Sequence, residues 1–163
     1  MIKIRAYFDG CTEPVNPGGA MGVGAIIYMD DEILDEYSDF EGPAKSNSNN
    51  VAEYMAFTHI VEYLVEQLTE DNRLPLKDIR IDIRGDSKLV IEQMCKRWRI
   101  KAGYYVAFAK EAMLKWEGLQ RICFDLRIPL TLQWVPRNMN DKADELSKKK
   151  LIENNIEFRI QTQ

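Results

Sequence analysis

Residues 2–9 alternate without a break, with Ile2, Ile4, Ala6 and Phe8 on one side and Lys3, Arg5, Tyr7 and Asp9 on the other. Successive side chains of a strand point to opposite faces, so this is a strand with one buried face, and Asp9-Gly10 is expected to close it. Two prolines, Asn16 and two glycines between Pro14 and Gly19 then signal a turn, after which Gly22–Met29 and Leu34–Phe40 read as further strands. Together these three runs predict an antiparallel meander.

The period then changes. Tyr54, Phe57, Val61, Leu64 and Leu68 recur at helical spacing behind a small polar stretch, Gly42–Asn50, in which Asn49 or Asn50 can cap the helix. Leu76–Arg84 alternates again, with Ile79, Ile81 and Ile83 on one face, and delivers Asp86 just past its end. A strand reached through a helix is expected to lie parallel to its neighbour. Lys88–Cys95 and Tyr104–Leu119 read as helices, Leu130–Val135 as a fifth strand stopped by Pro136, and Asn140 to about Asn154 as a last helix. Ile156–Ile160 is either a short strand or a docked tail. No linker or repeat divides the chain, so one domain is expected over 1–163, with 1–149 as its core and 150–163 as a C-terminal tail.

Composition narrows the class. With 45% hydrophobic and 29% charged residues the chain is an ordinary globular sequence, and it holds no apolar run of the roughly 18 residues a membrane span needs. A strand pattern from the second residue onward leaves no signal-peptide stretch, so the cytoplasm is the expected compartment. Cys11, Cys95 and Cys123 are widely spaced beside a single histidine, which suggests neither disulfides nor a zinc site. A net charge of −4 argues against indiscriminate attachment to nucleic acid, although acids gathered around metals can coexist with a local basic strip. Lys96, Arg97, Arg99 and Lys101, interleaved with Trp98, Tyr104 and Tyr105, are a candidate for that strip. Nothing in the pattern forms a heptad seam or a broad apolar stripe, and a monomer is the expected state.

Four acids sit where a carboxylate is hard to explain except as a ligand for a hard divalent cation. Glu53 shares a helix face with Phe57, Ile60 and Leu64, and no cation stands three or four residues from it. The competing reading is an acid at a helix start, favoured by the dipole. Asp9 and Asp86 each end a predicted strand at the edge where ligands gather in open α/β sheets, with turn or capping chemistry as the alternative. Asp144 has Lys148 four residues on, and a surface ion pair would explain it alone. As a set, converging carboxylates would repel one another unless cations held them ionised.

The ordered segments DG, NPGG, NNVAEYMA, GDSKLVIEQ and WVPRNMNDKADELSKK resemble those of type 1 ribonuclease H, from Ile2 to about Lys149. The resemblance implies an α/β, ribonuclease H-like fold: a five-stranded mixed sheet, strands 1–3 antiparallel and strands 4–5 parallel, with helices on both faces. It implies endonucleolytic hydrolysis of the RNA strand of an RNA/DNA hybrid, assisted by two Mg²⁺ ions with Mn²⁺ as a substitute, and 5′-phosphate and 3′-hydroxyl products. Asp9, Glu53, Asp86 and Asp144 match its metal-binding catalytic acids. Asn16, Asn49 and Asn50 match residues that contact backbone and ribose hydroxyls, and Gly10 matches one whose main chain approaches substrate. A 2′-hydroxyl both donates and accepts, which amides can read.

Two positions depart from the family pattern. Where many bacterial members have a loop histidine, the short loop Val135–Asn140 carries Arg137, expected to contact a phosphate or Asp144. Lys88 stands where many relatives have a glutamine that contacts a base or the backbone, and is a candidate substrate-binding residue in its place, while His59 falls mid-helix, where packing explains it. Lacking the histidine, activity is expected to lean toward higher pH or Mn²⁺. Duplex RNA is a second candidate substrate. The rival readings are a catalytically idle hybrid- or partner-binding module on the same fold and another nuclease of the wider superfamily.

Overall fold

A computed structural model describes residues 1–71 and 74–159. Five strands run as β1 (Ile2–Glu13), β2 (Ala20–Met29), β3 (Glu32–Glu41), β4 (Ile79–Gly85) and β5 (Leu130–Trp134). The α-helices are α1 (Asn49–Glu66), α2 (Lys88–Met94), α3 (Val106–Leu126) and α4 (Asp141–Glu153). A π-helical turn, Gln67–Asp71, extends α1, and a 3₁₀ turn, Arg137–Met139, precedes α4.

The strands form one sheet in the order β3-β2-β1-β4-β5. β2 pairs antiparallel with both β1 and β3, whereas β4 pairs parallel with both β1 and β5, as expected. The inward face of β1 carries Ile4, Ala6 and Phe8, each 0% exposed, and α1 covers it with Phe57 and Ile60. Phe8 meets Phe57 edge-on at 5.5 Å, and Trp116 of α3 closes over Phe57 at 5.7 Å. Burying a side chain such as Phe57 stabilises the fold by about 1.5–3 kcal/mol.

The opposite face is closed by α4, and glycine makes that possible. A Cβ on Gly22 would run into the Ser147 carbonyl, and one on Gly24 would lie 2.6 Å from the Ala143 carbonyl. Helix backbone therefore rests directly on strand backbone, which gives helices on both faces of the sheet.

Several boundaries differ from expectation for local reasons. β1 does not stop at Asp9-Gly10 but continues to Glu13, because antiparallel pairing with β2 persists from Asp9↔Gly24 to Glu13↔Ala20. β4 begins at Ile79, not Leu76, since Asp78 takes a left-handed turn at φ 56°. α3 runs past Leu119 to Leu126, where Arg127 ends it at φ 58°. Neither Asn49 nor Asn50 caps α1; the Ser48 hydroxyl accepts the Val51 amide at 3.2 Å. α4, by contrast, ends at Glu153, close to the expected limit near Asn154. Of the two readings for 156–160, the described part, 156–159, is a docked segment rather than a strand, and Ile160 lies outside the described residues. Among the described residues no helix is long and apolar enough to cross a membrane.

Candidate active site

Parallel pairing of β1 with β4 ends at Phe8↔Gly85, so the next residue on each strand, Asp9 and Asp86, comes side by side. Gly10 lets α1 approach: a Cβ there would lie 2.5 Å from the Glu53 nitrogen, so the first turns of α1 close directly over β1. The outcome is a group in which one carboxylate oxygen each from Asp9, Glu53 and Asp86 lies within 4.8 Å of the others. Ser87, not Asp86, caps α2, accepting the Val90 amide at 3.2 Å. That frees Asp86 from the capping role which competed with a metal-binding one.

The electrostatics of this group are unfavourable without positive charge. Burial, reinforced by the charges of Asp86, Glu53 and Asp144, pushes the Asp9 carboxyl up to about 9, opposed only by the Gly10 amide donating to its Oδ1 at 2.9 Å. Burial pushes Glu53 up to about 8, against a hydrogen bond from Ser87. Asp86 is also raised by burial, with the Asn140 amide at 3.4 Å and the Arg137 charge acting the other way. An all-oxygen donor set of crowded anions suits a hard divalent ion, whose charge reverses the repulsion.

Asp144 stands slightly apart from that group. It lies in the first turn of α4, where Lys148 donates to its Oδ2 at 3.0 Å and Arg137 lies 3.9 Å from its Oδ1. It still lines the same cleft of about 180 Å³ as the other three acids, and its charge helps raise Asp9. The expected convergence of four carboxylates is thus three in contact range and one at the rim, held there by two cations.

Of the other expected residues, Gly10, Asn49 and Arg137 line this cleft. Asn49 is fixed through its carbonyl oxygen, which accepts the Thr12 amide at 2.8 Å, while Asn16 Oδ1 accepts the Asn49 main-chain amide at 3.1 Å. Asn50 is partly buried in the first turn of α1. Lys88 sits over the Trp134 ring at 5.2 Å, and Trp134 Nε1 donates to the Asp86 carbonyl at 3.2 Å, so this pair borders Asp86.

The basic strip lies elsewhere. Arg97 grips Glu92 with two hydrogen bonds of 2.7 and 2.9 Å, and Lys96 faces Glu117 at 3.4 Å. Arg99 and Lys101 are exposed on the loop after α2. That loop is pinned from below by Gln93, which donates to the Arg99 carbonyl at 2.9 Å and to the Tyr105 hydroxyl at 3.2 Å.

Sequence reasoning read Lys148 only as an ion-pair partner of Asp144, which it is, and passed over Asn140, Glu13 and Arg159 as parts of the site. Asn140 stands four residues before Asp144 in the chain, and that spacing was the available signal. Glu13 was obscured by the turn residues around it, and Arg159 meets it from 146 positions away.

No family model matches the chain. It is 33% identical over 148 residues to the bifunctional protein Rv2228c of Mycobacterium tuberculosis, an alignment covering 90% of this chain and 35% of that protein. The chain thus spans about a third of the length of that relative. Among solved structures, LC11-RNase H1 in complex with RNA/DNA hybrid is 30% identical, with a TM-score of 0.64 and coverage of 91% of this chain and 99% of that one. The chain belongs to the type 1 ribonuclease H family. RNase H1 of the halophilic archaeon Halobacterium salinarum is likewise similar, at 26% identity and a TM-score of 0.68 over 93% of this chain and 98% of that one. Within this ribonuclease H, the one histidine is structural: the His59 ring stacks on Tyr37 at 3.7 Å, and its Nε2 faces Asp35 at 2.8 Å. Arg137 occupies the loop at the cleft instead.

Proposed function

We propose that this ribonuclease H is an endoribonuclease that hydrolyses the RNA strand of RNA/DNA hybrids, leaving 5′-phosphate and 3′-hydroxyl ends. The observation that carries the reading is the group of Asp9, Glu53 and Asp86 oxygens within 4.8 Å of one another, at the strand edge and beside Asn49. Asp9, Glu53 and Asp86, with Asp144 at the rim, would hold two Mg²⁺ ions, or Mn²⁺ in their place. Bound there, such ions supply the positive charge that stabilises the entering and leaving oxygens at phosphorus.

The remaining residues position and neutralise. Asn49 has its carbonyl oxygen committed to Thr12, which leaves its amide NH₂ to donate to a ribose 2′-hydroxyl, the group that separates RNA from DNA. Arg137 and Lys148 offset negative charge at the rim, where a phosphodiester must approach carboxylates. Support for the hybrid as substrate comes from LC11-RNase H1, a relative solved in complex with RNA/DNA hybrid. Duplex RNA remains a second candidate substrate and a monomer the expected form.

Incubating the protein with labelled hybrid, duplex RNA, duplex DNA and single strands, with and without EDTA, tests the reading. Cleavage confined to the ribose-bearing strand of the hybrid and abolished by EDTA is the expected result. Asp9→Asn and Asp86→Asn should lose cleavage while still binding hybrid. Hybrid binding by the unaltered chain without any cleavage in Mg²⁺ or Mn²⁺ would identify an idle binding module instead.

A further inference from the structure

The cleft has a second wall that the catalytic reading leaves unused. Counting along β1 in steps of two, Asp9, Cys11 and Glu13 point the same way, and all three line the cleft with the acids. Glu13 is a buried carboxylate, 3% exposed at its side chain, and the segment after α4 supplies its partner. Arg159 donates from its main-chain nitrogen and from Nε to Glu13 Oε2 at 2.8 and 3.1 Å, and from one terminal nitrogen to Oε1 at 3.0 Å. The same terminal nitrogen also donates to the Thr12 carbonyl at 2.9 Å. These bonds hold the Glu13 carboxyl below its ordinary range despite its burial.

Such an arrangement is more than a surface ion pair. The guanidinium is anchored on one edge by a buried acid and a main-chain oxygen, while its side chain stays 41% exposed on the cleft wall. Its other terminal nitrogen, Nη1, has no hydrogen-bond partner among the described residues, so that nitrogen keeps both of its N–H donors. Four residues of strand separate Glu13 from Asp9, roughly 13 Å at the usual rise per residue. One strand of a duplex advances roughly 3.4 Å per nucleotide along its axis, so that separation spans a few nucleotides.

We propose that Arg159, oriented by Glu13, forms a phosphate subsite that receives a backbone phosphate of the nucleic acid a few nucleotides from the acid group. The subsite rests on the hybrid-cleaving reading of the cleft. Glu13 is a positioning residue: it touches no substrate, but by occupying Nε and Nη2 it fixes the plane of the guanidinium and turns the remaining Nη1 N–H groups toward a phosphate oxygen.

The test is the salt dependence of hybrid binding, followed by fluorescence anisotropy with Ca²⁺ in place of Mg²⁺. Each phosphate neutralised contributes about 0.7–0.9 to the slope of log affinity against log salt. Arg159→Ala should lower that slope by about one and weaken binding about five- to tenfold at low salt. Because that change also strands a buried carboxylate, the double variant E13Q/R159Q is measured beside it; it should melt close to the unaltered protein yet show the same reduced slope. Arg159→Lys should keep the slope while losing affinity, since the charge persists without the fork. If the unaltered chain binds hybrid and both charge-removing variants keep its slope, the subsite is overturned, and a lower melting temperature for R159A alone would then mark a purely structural tie. If the unaltered chain ignores hybrid altogether, the functional reading falls as well.

Discussion

The side-chain amide of Asn140 donates to the main-chain carbonyl of Phe8 at 2.9 Å. Asn140 is 1% exposed, reaches Asp86 at 3.4 Å with the same nitrogen, and immediately precedes α4. One buried amide thus ties together β1 next to Asp9, the end of β4, and the helix that carries Asp144. Asn140→Ala would leave the Phe8 carbonyl without that donor, a loss worth about 1–3 kcal/mol for a buried group. Urea unfolding should show a lowered midpoint with an unchanged slope, and cleavage should fall because three acids lose a shared brace.

Stability without divalent ions should decline as pH rises. Asp9 and Glu53 titrate in the folded protein at about 9 and about 8, above their ordinary values, so between roughly pH 4 and 9 the folded state holds more protons than the unfolded one. Stability then decreases with pH across that window, because the unfolded state binds fewer protons. Thermal melts in EDTA at pH 5.5 and 9 should give the lower midpoint at pH 9. Adding Mg²⁺ should lift the midpoint most at the higher pH, and Asp9→Asn should flatten the dependence in EDTA.

Gly24→Ala should be among the most damaging single methyl additions. Its Cβ would meet the Ala143 carbonyl at 2.6 Å, an atom of helix backbone that cannot swing aside. Overpacking of this kind costs about 1–3 kcal/mol, and here the relief available is to lift α4 from the sheet. A lowered melting temperature together with weakened Mn²⁺ binding in calorimetry is expected. Weakened stability with unaltered metal uptake would show that the helix yields without moving Asp144.

With Arg137 at the cleft and His59 stacked on Tyr37, no imidazole stands near the acids to relay a proton. Rates on labelled hybrid should therefore rise toward alkaline pH and favour Mn²⁺ over Mg²⁺. Equal rates in Mg²⁺ at neutral pH would remove this expectation.

The sheet and its helices were readable because both carry their period in the chain: alternation in Ile79, Ile81 and Ile83, and helical spacing in Phe57, Val61 and Leu64. Asp9, Glu53 and Asp86 were readable for a related reason, since strand ends and one helix face position them. The stance of Asp144 was not, because its distances to Lys148 and Arg137 depend on how a short loop folds against a helix end. β1 beyond Gly10 was hidden because Pro14 and the glycines after it outweigh a pairing that only β2 supplies. The Glu13–Arg159 tie leaves no local trace at all, as the partners meet only through the fold.

The bare contact between β2 and α4 also bears on how the cleft can change. Where most helices ride on a layer of compressible side chains, this one is seated main chain to main chain at Gly22 and Gly24. The rim acid is therefore indexed to the pleat of the sheet, with no deformable cushion to absorb substitutions made elsewhere in the core. Mutational drift in this chain should alter the mouth of the pocket in abrupt steps, through loss of that seat, more than by gradual widening.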